Sequence, residues 1–189
     1  AGNESVQHNL HRAAELISSF KQVSIDKNID HMAAVDLSFS LQALVKSLQP
    51  ETEKRKISLQ IDCPLTCIVR TWPSDITQVA SNIIMNSLVH GFPEEYQVAG
   101  QAKITVELTQ QEDLITLVIT DNGIGMSEAV VKNIFDPFFT TKRGSGGTGL
   151  GLNIVYNIVK EKLEGEIEVE STLGLGSQFS VKFKAEQLD

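Results

Sequence analysis

Five of the eight residues from 144 to 151 are glycine, and a helical hydrophobic period, LNIVYNIVKEKL, begins at residue 152. Such a run suits neither a core nor the interior of a regular element, because glycine has no side chain to bury and loses the most backbone freedom on ordering. Placed at the start of a helix, it leaves backbone N–H groups unpaired at the positive end of the helix dipole, a cradle for an anion such as phosphate. Two familiar glycine patterns do not fit. Gly144 and Gly149 have the spacing of a P-loop, but Leu150 stands where that loop needs its lysine. Gly147 and Gly149 would need a third glycine at position 152 for a dinucleotide fingerprint, and that residue is Leu152. Lys142 and Arg143 add positive charge beside the cradle, and FDPFF precedes them. A plain linker leaves Phe135, Pro137, Phe138 and Phe139 unexplained. A lid explains them, with one end pinned by aromatic burial and the rest free to order over a ligand.

The remainder of the chain alternates helical and strand-like periods. Residues 5–24 carry Val6, Leu10, Ala13, Ile17 and Phe20 at alternating spacings of four and three. That is the seam of a coiled coil or bundle, or of a helix packed on its own domain. LSFSLQALVKSL reads as a helix ending at Pro50, and ISLQI (57–61) and CIVR (67–70) read as short strands. Pro73 opens a helix that runs to the stop signal Gly91-Phe92-Pro93. KITVEL and LITLVIT alternate around the turn QQED, SEAVVKNIF is a short helix, and EIEVES and SQFSVKFKA form a strand pair around LGLG. The expected fold is an α/β two-layer sandwich, a mixed, mostly antiparallel sheet with helices on one face, preceded by one N-terminal amphipathic helix. The expected division is residues 1–30 and a main domain over 31–189.

Composition narrows the function classes. With 189 residues and 41% hydrophobic content the chain can bury a single core. No apolar run approaches the roughly 20 residues needed to cross a bilayer, and the start AGNESVQHNL lacks a basic-then-apolar leader pattern, so a cytoplasmic location is expected. The formal net charge of -8, with no basic cluster denser than Lys54-Arg55-Lys56 or Lys142-Arg143, argues against nucleic acid as a partner. Cys63 and Cys67, with no other Cys or His close in sequence, make neither a disulfide framework nor a zinc site.

Two further segments carry chemistry. Asn82, Asn86 and His90 follow at i, i+4 steps and line one face of their helix. The stripe either faces solvent or serves a ligand, in which case an Asn carbonyl can be a neutral oxygen donor to a magnesium ion bridging phosphates. DNGIG, residues 121–125, is either a hairpin turn or a base-binding corner. In the second reading Asp121 accepts a hydrogen bond from an exocyclic amine, and Gly123 and Gly125 let the backbone approach a flat ring. The helical period of MSEAVVKNIF directly afterwards fits a simple hairpin poorly.

QVASNIIMNSLVHG, DNGIGM, FDPFFTTK and GGTGLGL, in this order and spacing, resemble the four nucleotide-binding boxes of the sensor histidine kinases of two-component systems. The resemblance is to their catalytic and ATP-binding domain, of the Bergerat fold shared with Hsp90, gyrase and MutL, and covers about residues 36 to 185. It implies ATP and Mg2+ as ligands, held between helices and a mobile lid. By position, Asn86 resembles the magnesium ligand, Asn82 its polar partner one turn earlier, and Asp121 the adenine-recognising acid with Gly123 and Gly125 beneath the base. Lys142, Arg143, Gly147, Thr148, Gly149, Leu150 and Gly151 fall in the lid that contacts phosphates, Phe138 in the box before it, and His90 near the nucleotide. Val89 departs from the family's frequent lysine, which shifts weight onto Lys142 and Arg143.

Hydrolytic relatives place a glutamate where this chain has Asn82, an amide that cannot act as a base at neutral pH. The implied activity is therefore transfer of the γ-phosphoryl group to a histidine, followed by relay to a response regulator receiver domain, with Asn82, Asn86 and Lys142 as the catalytic set. A nucleotide-gated binding module, or an ATPase of the Hsp90, gyrase or MutL kind, is the alternative. His8, His11, His31 and His90 are followed by Asn, Arg, Met and Gly, not by the acidic residue of the family's phosphoacceptor. Residues 1–30 thus resemble the second helix of the dimerisation hairpin, and the acceptor histidine is expected outside this chain. The parent kinase is expected to form a homodimer through the N-terminal helix and to be either cytoplasmic or the cytoplasmic part of a membrane-anchored sensor.

Overall fold

The structure, a computed structural model, describes residues 32–93, 96, 98, 100–141 and 148–188. The helix expected over 5–24, and Lys142, Arg143 and Gly147, lie outside the described residues. In chain order the elements are β1 (Ala33–Asp36), α1 (Leu37–Lys54), β2 (Ser58–Asp62), β3 (Ile68–Thr71), α2 (Pro73–Asn86), β4 (Lys103–Gln111) and β5 (Leu114–Asp121), then α3 (Glu128–Val131), α4 (Gly151–Asn157), β6 (Glu166–Thr172), β7 (Gly176–Lys184) and β8 (Glu186–Gln187). Both α2 and α4 run on into a wider π-type turn, Ser87–Gly91 and Ile158–Lys162.

The expected α/β sandwich with its mixed sheet is what forms. The large sheet has the order β2-β4-β5-β7-β6. Its pairs are antiparallel except β2 with β4, which run parallel. Strict alternation sends Ile104, Val106 and Leu108 of β4, Ile115, Leu117 and Ile119 of β5, and Phe179, Val181 and Phe183 of β7 into one buried layer. The helices close over it with Leu37, Leu41 and Val45 of α1, Ile76, Val79, Ile83 and Ile84 of α2, and Val155 and Val159 of α4 and its extension. Fully burying side chains of this size contributes about 1.5–3 kcal/mol each. On edge strand β6, Glu166, Glu168 and Glu170 are exposed while Ile167 and Val169 between them are half-buried.

Three features go beyond the sequence reading. The strand expected at 67–70 leaves the large sheet and forms a second one of order β1-β3-β8. Asp36 ties this sheet to α1, since its Oδ1 caps the helix by accepting from Ser38 N (3.0 Å) and Phe39 N (3.3 Å) and also accepts from Cys67 N (3.1 Å). The helix expected to end at Pro50 runs four residues further, to Lys54. A proline inside a helix forfeits one hydrogen bond, but the real stop here is Lys56, whose φ of 57° turns the chain left-handed. Lys56 N–H then donates to Glu53 O (2.9 Å) and Ile57 N–H to Thr52 O (2.9 Å), the double closure of a Schellman cap. The short helix after DNGIG keeps regular form only over Glu128–Val131.

Candidate nucleotide-binding site

A cavity of about 600 Å³ opens between α2 with its π-turn, the loop after β5, the segment after α3 and the start of α4. That size falls within the range of small-molecule sites. Asn82, Asn86, His90, Asp121, Gly125, Thr148, Gly149 and Gly151 line it, so three segments far apart in sequence meet there.

Asp121, the last residue of β5, sits at the cavity's inner end with 4% of its surface exposed. Its Oδ1 accepts from Gly123 N and its Oδ2 from Ser87 Oγ, each at 2.9 Å. Burial pushes its carboxyl above the usual value of 3.8, against the opposing pull of the hydrogen bonds from the Gly123 backbone, Ser87 and the Ser177 backbone. A desolvated carboxylate of this kind is a strong acceptor for an amine N–H entering the cavity. Gly123 does not line the cavity. A Cβ on it would run into the Gly91 backbone, so its task is to let the Asp121 corner close on the end of α2. Gly125 has φ 67°, and a Cβ there would strike Thr172 O, which holds the corner against the β6–β7 hairpin. Met126 N–H to Ser171 Oγ (2.8 Å) and Gly174 N–H to Ile124 O (2.7 Å) complete that seam.

The asparagine stripe faces the cavity. Asn82 Nδ2 donates to Gly151 O at 3.3 Å and ties α2 to the start of α4. Asn86 Nδ2 is buried and without a hydrogen-bond partner among the described residues. A buried amide left in this state is destabilising unless something else meets it. An amide that can turn its oxygen toward a cation beside bound phosphates fits that position, so the residues present fit Mg2+ held through Asn86. His90 Nδ1 stands 3.3 Å from Thr141 Oγ1 across the cavity mouth.

At the entrance to α4, Gly149 has φ 69°, and a Cβ there would clash with the Phe138 backbone. Gly149 O accepts from Phe138 N at 2.9 Å, and Leu150 N donates to Thr148 Oγ1 at 3.4 Å. Neither Phe138 nor Leu150 lines the cavity. Phe138 is 60% exposed with φ 65°, so the aromatic anchors are Phe135 and Phe139, which pack on the core. Asn153 Nδ2 donates to Phe135 O at 3.0 Å, and the Phe135 ring lies 5.4 Å from that of Tyr156, latching this segment to α4.

Sequence reasoning missed Ser87, Ile124, Met126, Thr141 and Leu152, all of which line the cavity, and gave Phe139, which also lines it, only the part of a lid anchor. Ser87 lies off the 82-86-90 stripe, and its partner is 34 residues away. Val89, where a lysine is frequent in the resembling family, supplies an apolar part of the wall.

The fold is shared with a solved structure of the histidine kinase ThkA in complex with the response regulator protein TrrA, with a TM-score of 0.70 at 18% identity over 95% of this chain and 49% of that one. What that likeness shows is the fold, an α/β domain with a mixed sheet. Residues 73–187 match the family described as histidine kinase-, DNA gyrase B-, and HSP90-like ATPase, and the chain belongs to that family. Among curated relatives, a putative sensor protein of Shewanella frigidimarina is 30% identical over 98% of this chain and 27% of its own length. The autoinducer 2 sensor kinase/phosphatase LuxQ of Vibrio vulnificus is 32% identical over 78% of this chain and 18% of its own length. The chain is thus an ATP-binding domain of the sensor-kinase kind, spanning about a quarter or less of these relatives. No helix among the described residues is long and apolar enough to cross a membrane.

Proposed function

We propose that the domain binds Mg-ATP and directs the γ-phosphoryl group to a histidine of its parent kinase outside this chain, for relay to a response regulator receiver domain. The observation that carries this reading is the buried Asp121, held ready by Ser87 and Gly123 in a cavity whose lining also includes Asn82 and Asn86. Asp121 accepts the adenine amine. Asn86 would hold Mg2+ through its side-chain oxygen, and the ion would supply positive charge against that of the phosphates. Asn82 already spends its amide on Gly151 O and has no proton-accepting nitrogen or carboxylate, so Asn82 does not activate water. Lys142, Arg143, Gly147 and the start of α4 at Gly149 and Gly151 hold the phosphate tail in line, and catalysis rests on that positioning. In the parent protein residues 5–24 would serve as the second helix of the hairpin through which two copies dimerise, and the whole domain lies in the cytoplasm.

The test is calorimetric titration of Mg-ATP into the chain and into Asp121→Asn. In the variant, Oδ1 still accepts from Gly123 and Ser87 can turn its hydroxyl round, so the fold is retained while the base loses its acceptor. Equal affinity in the two proteins sinks the assignment. Mixing the chain with ATP and a fragment bearing the acceptor helix then separates transfer from hydrolysis: label on histidine supports the kinase reading, and free phosphate without label overturns it.

A further inference from the structure

Arg55 lies outside the cavity, at the C-terminal end of α1, yet its Nη1 donates to the carbonyl of Leu88 at 2.9 Å, 33 residues away. The geometry assigns Arg55 the role of positioning residue for the base end of the cavity, acting through the π-turn Ser87–Gly91.

Leu88 is fully buried and belongs to the last turn of the α2 helix, where carbonyls run out of N–H partners further along the chain. The chain leaves the helix at Phe92, with φ -124°, and the next residue is Pro93, which has no N–H to give. A buried carbonyl there needs a donor from elsewhere, and the Arg55 guanidinium supplies a charged one. The donor is itself well placed. The Schellman cap at Lys56 and Ile57 fixes the backbone on either side of Arg55, and Glu51 Oε1 holds Arg55 Nε at 2.8 Å.

The π-turn that Arg55 holds makes four contacts with the site. Ser87 Oγ donates to Asp121 Oδ2 at 2.9 Å. Gly91 lies so close to Asp121 that a Cβ on it would be 3.3 Å from Oδ1. Gly91 O accepts from Ile124 N at 2.8 Å. His90 reaches Thr141. A π-turn is strained relative to α-helix and survives where its surroundings hold it. Released at Leu88, it can relax toward α geometry, which rotates Ser87 and Gly91 away from Asp121.

The functional consequence rests on the nucleotide reading above, whereas the contact between Arg55 and the turn does not, and the experiment keeps the two apart. Mg-ATP affinity by calorimetry and backbone amide exchange by mass spectrometry are read on the whole chain and on Arg55→Met, Arg55→Lys and Glu51→Gln. Arg55→Met keeps the apolar stem and removes the donors. It should raise the Kd for Mg-ATP about tenfold, the worth of one charge-assisted hydrogen bond, and speed exchange over residues 87–91 and at Ile124. Arg55→Lys, which keeps a charge but not the planar fork, should fall between, at about threefold, and decides the matter alone if the Met variant does not fold. Glu51→Gln, which leaves the Leu88 bond, should stay within about twofold of the parent, the scale of an exposed ion pair. Arg55 variants with the parent's affinity and exchange pattern overturn the proposal, as does a Glu51→Gln variant that reproduces their loss. If the unsubstituted chain binds no Mg-ATP, the nucleotide reading fails, and the exchange pattern over 87–91 still decides the role of Arg55.

Discussion

Ser87 Oγ donates to Asp121 Oδ2 at 2.9 Å, joining the end of the α2 helix to the end of β5 inside the cavity. That bond opposes the burial that raises the Asp121 pKa. Because the carboxyl is easier to protonate in the fold than in the unfolded chain, its ionisation is a drain on stability. The drain is absent below the usual value of 3.8 and complete above the raised one. The ionised carboxylate is the stronger acceptor for an amine, so Mg-ATP affinity should be full above the raised pKa and fall as pH drops through it. Ser87→Ala removes one donor, pushes the pKa higher still and moves this acid loss to higher pH. At neutral pH it should weaken binding by about 1.5–3 kcal/mol, the scale of a hydrogen bond to a charged group. Calorimetric titrations across a pH series check both effects, and an unmoved acid limb counts against the pairing.

Asn86→Ala removes an amide whose Nδ2 has no partner among the described residues. It should therefore leave the unfolding free energy from urea titration within about 1 kcal/mol of the parent, unlike an ordinary buried polar deletion. Magnesium-dependent tightening of ATP binding should disappear in the same variant. A variant that still binds more tightly with Mg2+ than without it would remove Asn86 from the metal site.

Asp36→Ala removes the one acceptor shared by Ser38, Phe39 and Cys67. Loss of an N-cap alone costs about 0.5–2 kcal/mol, and the Cys67 N–H places this residue at or above the upper end. Asp36→Asn keeps the accepting oxygen and should retain most of the stability. Urea unfolding of both decides, and equal losses would show that charge rather than capping is at work.

Burial, with help from Asp36 and Cys63, pushes the Cys67 thiol up to about 11, and Sγ lies 3.3 Å from Gln110 Oε1. The thiolate is the reactive form, so Cys67 should resist iodoacetamide at pH 8 until the chain unfolds. Cys63 is only half-buried and should react first. Mass mapping of the alkylated protein checks the order; simultaneous labelling in the folded protein contradicts it.

Periods long enough to repeat were legible. The alternation of KITVEL and LITLVIT, and the proline that opens α2, gave the central strands and the helix beneath the site. The four boxes pointed to residues that do meet around one cavity, such as Asn82, Asn86, Asp121 and Gly149. What stayed hidden depends on partners distant in sequence. β1 and β8 have four and two residues, too few for a period, and exist because β3 pairs with both. Ser87 shows no signal because a π-turn changes the spacing where its hydroxyl meets Asp121. Pro50 misled because a proline marks lost hydrogen bonding, whereas the chain reverses where Lys56 turns left-handed. Phe138 looked like an anchor by composition, and only backbone geometry turns it outward while Phe139 points in.

The carboxylates along β6 matter beyond the domain itself. Were a second copy to add its own β6 in register, glutamates would fall opposite glutamates on a strand that still has hydrogen-bonding capacity to offer. Glu168 is already paired with Lys182 at 3.1 Å, so Glu166 and Glu170 carry the like-charge opposition that disfavours such edge-to-edge pairing.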